Sequence, residues 1–124
     1  MTVLVDSDIV IEVCRERDSD ILSRWRELGQ SGRAILYSPV TAAELWAGVR
    51  QPERETLTNF FRTLLCAPID YETGRQAGDY IRQYRKSYDL QISDALIAAA
   101  AVLNQAQLWT RNRKHYPMKK LLFY

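Results

Sequence analysis

Thr2-Val3-Leu4-Val5 constrains this chain more than any other segment. The run is short, β-branched and apolar at odd and even positions alike, the pattern of a strand buried on both faces in the middle of a parallel sheet. A carboxylate, Asp6, ends it. A charge at the end of a buried strand is costly unless it is hydrogen-bonded, paired or bound to a cation. At 124 residues the chain is expected to form a single domain, 1–124, large enough to fold around an apolar core without a disulfide or structural metal.

Downstream, apolar spacing predicts a helix from Ser7 or Asp8 to about Cys14 and a second from Ser19 or Asp20, with Ile21, Leu22, Trp25 and Leu28 on one stripe. Ala34–Tyr37 reads as a strand. Thr41 opens a helix to about Val49, and a longer one follows from about Glu53 to Leu65. Ala67–Asp70 is an expected edge strand, given its proline. Tyr71 to about Ser87 is helical, and Ser93 caps a last, alanine-rich helix from Asp94 to about Gln105. Gln107–Thr110 is a buried strand and Leu121–Tyr124 a terminal one. Strands alternating with helices predict an α/β layer structure with a mostly parallel sheet, whose working site lies at the carboxyl ends of the strands.

Charge and cysteine usage narrow the function classes. Lys plus Arg is 17 against 15 for Asp plus Glu, a net charge of +2, which excludes a strongly basic nucleic-acid coat and an acidic tail. Neither Cys14 nor Cys66 has zinc-type spacing, and His115 is the only histidine. Both cysteines are read as reduced core residues, which fits a cytoplasmic protein. The N-terminus lacks the basic start and cleavage site of a signal peptide, and no segment approaches a membrane span.

The acidic residues each have an ordinary explanation. Thr41-Ala42-Ala43-Glu44 has the form of a capping box, in which Glu44 bonds back to the helix start. Asp94 follows the Ser93 cap, where a carboxylate suits the helix dipole. Asp6 and Asp8 can cap the helix that follows them. Taken together, Asp6, Glu44 and Asp94 all fall where a strand gives way to a helix, and in a parallel sheet those junctions converge on one edge. Converging carboxylates repel, and a hard divalent cation relieves the repulsion. Oxygen ligands without His or Cys favour Mg²⁺ or Mn²⁺, ions that support displacement at phosphorus.

Val3-Leu4-Val5-Asp6-Ser7-Asp8, Ala43-Glu44-Leu45, Ser93-Asp94-Ala95-Leu96-Ile97-Ala98-Ala99 and Trp109-Thr110-Arg111-Asn112 resemble, in order and spacing, the successive motifs of PIN-domain ribonucleases, and more narrowly of VapC-type toxins of toxin–antitoxin pairs. The resemblance runs from Val3 to about Tyr116. It implies an α/β/α sandwich around a parallel sheet, Mg²⁺- or Mn²⁺-dependent endonuclease activity on RNA leaving 5′-phosphate and 3′-hydroxyl ends, a homodimer, and inhibition by a cognate antitoxin in a hetero-oligomer. By position it implies that Asp6, Glu44 and Asp94 form the acidic metal site and that Thr110 is the supporting hydroxyl. Asn112 stands where many members carry a fourth acid, and Asp8 at a position often filled by Asn, Ser or Thr, where it partly compensates.

Arg111, Arg113 and Lys114 follow the strand that carries Thr110, so they can hold a phosphate backbone or form a solvated turn. His115 reads as a surface or packing residue. Trp46, Phe60, Phe61, Tyr80, Tyr84 and Tyr88 are expected to pack into the core, although Trp46 and the helix around Phe60 can instead form a groove for a partner segment. Two other functions share these features. One is a phospho-accepting receiver-type domain, with Asp6 and Asp8 as the acidic pair, Asp70 as acceptor and Thr110 as switch. The other is a binding module of the same fold whose metal site has degraded at Asn112.

Overall fold

The computed structural model describes residues 1–124. The elements are β1 (Thr2–Val5), α1 (Ser7–Arg15), α2 (Ser19–Gln30), β2 (Ile35–Tyr37), α3 (Pro39–Gly48), a 3₁₀ turn (Gln51–Glu53), α4 (Arg54–Arg62), β3 (Leu65–Cys66), α5 (Tyr71–Tyr88), α6 (Ile92–Leu103), β4 (Ala106–Trp109), a second 3₁₀ turn (Arg113–His115) and β5 (Leu122–Phe123). The strands form one sheet in the order β3-β2-β1-β4-β5, with every neighbouring pair parallel.

The β1 strand sits at the centre, as its two-faced apolar run requires. Val3 and Val5 pack on one face with Ile9, Val10 and Val13 of α1, Ile21 and Leu28 of α2 and Leu57 of α4. Leu4 and Leu108 face the other way, onto α5 and α6. The result is the expected three-layer α/β/α sandwich. Ala98, Ala99, Ala100 and Ala101 of α6 are fully buried. Their small side chains let this helix lie close against its neighbours and carry Asp94 at its start.

Chain order reverses between β1 and β4. The chain leaves β1 for β2 on one side and enters β4 on the other, which opens a crevice beyond the carboxyl ends of these two strands. The register pairs Val5 with Trp109, so the next residues out, Asp6 and Thr110, emerge side by side. The Asp6 N–H still donates to the Trp109 carbonyl at 3.0 Å.

Several boundaries differ from the sequence reading. The α3 helix begins at Pro39, not Thr41, because Ser38 caps it by accepting the Val40 N–H and proline suits a first helical turn. Thr41 and Glu44 therefore lie inside the helix, and the capping box does not form. The α6 helix begins at Ile92 after Gln91, so Ser93 is not its cap. The edge strand is Leu65–Cys66, and Asp70 instead caps α5 through the Thr73 N–H. Cys66, expected in the core, is exposed because this edge strand is short and open on its outer side, while Cys14 is half-buried. Tyr88 is also exposed, at the end of α5, and Trp46, Phe60, Phe61 and Tyr84 are half-buried. No helix is long and apolar enough to cross a membrane.

Candidate active site

Asp6 is only 7% exposed, and its carboxylate is fully engaged. Oδ1 accepts the Ser7 N–H at 2.8 Å, capping α1. Oδ2 accepts the Thr110 hydroxyl at 2.8 Å and the Tyr116 hydroxyl at 2.9 Å. A buried carboxylate held by three donors is the satisfied form of the charge that the sequence placed at the strand end. Thr110 Oγ1 in turn accepts the Asn112 N–H at 3.0 Å. Tyr116 is buried, and its phenol is pushed far above its ordinary range by burial and then by the charges of Asp6, Asp94 and Asp8. It remains a neutral donor at any working pH.

Asp8 lies in the first turn of α1 and reaches back to the same strand end. Its Oδ2 accepts the Arg111 N–H at 2.9 Å and the Asn112 Nδ2–H at 3.2 Å. Its Oδ1 is buried and has no hydrogen-bond partner. Burial, and then the charge of Asp6, raise its carboxyl above the usual aspartate range.

Glu44 extends from the middle of α3, where its Oε1 accepts the Ser7 hydroxyl at 2.9 Å. Asp94, in the first turn of α6, is half-buried. Its carboxyl is also raised, first by burial and then by Asp6, with Glu44 adding to the effect and His115 opposing it. Four acids from α1, α3, α6 and the end of β1 thus share one electrostatic neighbourhood. His115, read as a surface residue, is exposed, but its charge bears on Asp94.

The acids meet as a field and not as a closed cage: no three Asp, Glu, His or Cys side chains are grouped tightly enough to enclose an ion by themselves. That arrangement suits Mg²⁺, which keeps several of its waters and binds through one or two carboxylates plus substrate phosphates. Burial and then the charge of Asp6 raise the carboxyls of both Asp8 and Asp94, so like charges gather here and a cation among them would be favourable. All donors are hard oxygens. The residues present therefore fit a hard divalent cation.

The other candidates are placed less uniformly. Arg111 is exposed, but its guanidinium pairs with Glu12 at 3.3 Å. Arg113 lies over the Phe123 ring and donates to the Tyr124 carbonyl at 3.2 Å. Lys114 is exposed in the turn. Asp70 caps α5 and lines a small cleft with Leu103 and Asn104, at the opposite end of α6 from Asp94. A receiver-type arrangement, which needs Asp70 beside Asp6 and Asp8, is thereby excluded. A groove of about 370 Å³ runs beside Glu44 between α1, α3 and α4, lined by Val10, Ile11, Cys14, Leu45, Val49 and Leu57. Neither Trp46, under the Arg54 guanidinium, nor Phe60, stacked on Trp25 at 5.2 Å, lines it.

Two residues of the site escape a reading of the sequence. Tyr116 is separated from Asp6 by 110 positions and lies in an irregular segment, so no periodicity marks it. Ser7 carries a faint signal, as a hydroxyl between two acids at a helix start.

A parallel sheet with acids gathered beyond its central strands defines a class of protein. A PIN-domain sequence profile matches residues 3–121, and the chain belongs to the PIN-domain family. Among curated proteins it is similar to ribonuclease VapC10 of Mycobacterium tuberculosis, 34% identical over 121 residues that cover 94% of this chain and 86% of that one. Ribonuclease VapC19 of the same organism is 34% identical over 116 residues, covering 93% and 92%. In three dimensions the chain resembles the crystal structure of DNA-bound VapBC from Salmonella typhimurium, with a TM-score of 0.83 at 21% identity over 100% of this chain and 97% of that one.

Proposed function

We propose that this chain is the toxin of a toxin–antitoxin pair and cleaves RNA, using Mg²⁺ or Mn²⁺ bound by Asp6, Asp94 and Glu44, directly by one or two of them and through water by the rest. The observation that carries this reading is the buried Asp6 carboxylate at the end of the central strand, pinned by Thr110 and Tyr116, with Asp94 and Glu44 in its field. The VapC ribonucleases at 34% identity support the RNA-cleaving assignment.

A divalent cation at this site supplies charge neutralisation at a phosphodiester and activation of water. The protein's own part is positional. Thr110 and Tyr116 fix the Asp6 carboxylate, and Ser7 holds Glu44 toward it. Asn112 and the Arg111 N–H fix Asp8. Lys114, Arg111 and Arg113, in and beside the turn after β4, bind the phosphate backbone of the RNA without reading its sequence.

The groove beside Glu44, apolar along Val10, Leu45 and Leu57 and edged by Arg15, Glu53 and Thr56, suits an amphipathic segment of a cognate antitoxin, which would lie within reach of the acids it silences. The exposed Tyr88 and Ile92 at the α5–α6 junction suit a homodimer contact. The antitoxin-bound form is then a hetero-oligomer, and its place is the cytoplasm.

The test is incubation of the purified chain with structured RNA in Mg²⁺ or Mn²⁺, beside an Asp94→Asn variant and an EDTA control. Cleavage by the unsubstituted chain alone, ended by EDTA, is the expected result. Equal absence of cleavage by both proteins at every metal tested contradicts the reading and favours a degraded binding module.

A further inference from the structure

One carboxylate holds two arginines on the face of α1 beside the site. Glu12 lies one helical turn after Asp8, on the same face of the helix. Arg111 straps that face: its N–H donates to Asp8 Oδ2 at 2.9 Å, and its guanidinium approaches Glu12 Oε1 to 3.3 Å. Arg17, just past the left-handed Glu16 that ends α1, reaches the same oxygen at 3.3 Å. The Glu12 side chain is 12% exposed, whereas those of Arg17 and Arg111 are 62% and 52% exposed. The carboxylate is covered, and the cations that meet it lie largely in water.

These contacts are loose. A charge-assisted bond normally spans ~2.7–2.9 Å, and arginine meets an oxyanion best through two parallel bonds. Neither guanidinium forms that fork with Glu12, and most donors of both stay free. An ion pair with so exposed a cation contributes little, so another anion displaces it at little cost. A phosphodiester offers the two oxygens that match a guanidinium fork. Arg111 directly follows Thr110, which holds Asp6, so a phosphate on this arginine lies at the rim of the acidic site.

We infer that Arg17 and Arg111 form a phosphate site for RNA in which the Glu12 carboxylate is the resident occupant of the free chain, displaced when RNA binds. The inference rests on the RNA reading above. It makes Glu12 an internal competitor of the substrate, which withholds Arg111 until a phosphate replaces it.

Fluorescence anisotropy of a labelled single-stranded RNA, titrated with the full chain in EDTA and low salt, tests it without turnover. Circular dichroism checks folding. Glu12→Gln is expected to tighten RNA binding threefold or more, while Glu27→Gln, at an exposed position of α2, changes it less than twofold. Arg111→Ala is expected to weaken binding less than twofold in the unsubstituted chain and to cancel the gain in Glu12→Gln. A gain that survives Arg111→Ala, or that Glu27→Gln equals, is a general charge effect and overturns the inference, as does unchanged or weaker binding by Glu12→Gln. If Glu12→Gln does not fold, Glu12→Asp decides, because it keeps the charge and withdraws the carboxylate from both guanidiniums. Tighter binding that Arg111→Ala cancels supports the inference, and unchanged binding overturns it. Absence of RNA binding by every variant removes the RNA reading itself and this inference with it.

Discussion

The Tyr116 hydroxyl donates to Asp6 Oδ2 at 2.9 Å, joining two buried residues 110 positions apart in the chain. It is the longest-range hydrogen bond of the site. It ties the segment after the second 3₁₀ turn to the end of the central strand, so the carboxylate cannot move without moving that segment.

Tyr116→Phe removes this donor and leaves Oδ2 with Thr110 alone. A hydrogen bond to a charged group is worth ~1.5–3 kcal/mol, and lost support of a metal-binding carboxylate typically costs about 10–100-fold in metal affinity or activity. The variant is expected to fold, to unfold at lower urea, and to cleave RNA about tenfold more slowly or worse. Unchanged cleavage with unchanged urea midpoint contradicts this role.

The pH dependence of stability has a definite sign at Asp94. Its folded carboxyl lies above the ordinary aspartate value, so the folded chain holds this proton more tightly than the unfolded chain. The resulting stabilisation is complete below the unfolded value and is lost as pH rises through the raised folded value. Above that window the charge is a burden without a cation. Asp94→Asn is therefore expected to be more stable than the unsubstituted chain at neutral pH in EDTA, with the difference shrinking as the solution is acidified. Urea denaturation at several pH values measures it, and a variant less stable at neutral pH contradicts it.

Much of this arrangement is readable in the order of residues. The two-faced run Thr2–Val5 marks the central strand because an edge or surface strand would leave one of its apolar faces in water. Only Asp6 lies where a strand gives way to a helix, as expected; Glu44 sits in the middle of α3 and Asp94 opens α6 directly after α5, so these two reach Asp6 through the packing of helices and not from strand ends. Where local rules fail, neighbours overrule them. Thr41–Glu44 matches a capping box, but Ser38 and Pro39 start the helix earlier. Asp70 follows an apolar stretch, as a strand-end acid would, but pairing with β2 stops at Cys66 and frees it to cap α5. Tyr116 is invisible in the sequence because its role depends on a tertiary contact with no periodic trace.

The alanines of α6 set how closely Asp94 approaches. Ala99 is fully buried, so Ala99→Leu forces a larger side chain into filled space. Overpacking of this kind costs ~1–3 kcal/mol. The urea midpoint is expected to fall, and cleavage with it, as α6 is displaced with Asp94 at its start. Full activity at normal stability shows that the helix tolerates displacement without disturbing the site.

The basic turn is expected to act unequally. Lys114 is exposed, whereas Arg111 is paired with Glu12 and Arg113 is laid over Phe123. Lys114→Ala should raise KM with kcat unchanged and lower the slope of log affinity against log salt by about 1. Arg111→Ala should affect RNA binding less. The opposite ranking in a salt titration contradicts this assignment.

Crystals of the chain soaked in Mn²⁺ and measured at the manganese absorption edge test the central claim most directly. The account predicts the strongest anomalous peak among the carboxylates of Asp6, Asp94 and Glu44, beyond the carboxyl ends of β1 and β4, and its disappearance in Asp6→Asn crystals. A soaked crystal with that space empty, from protein that still cleaves RNA, contradicts it.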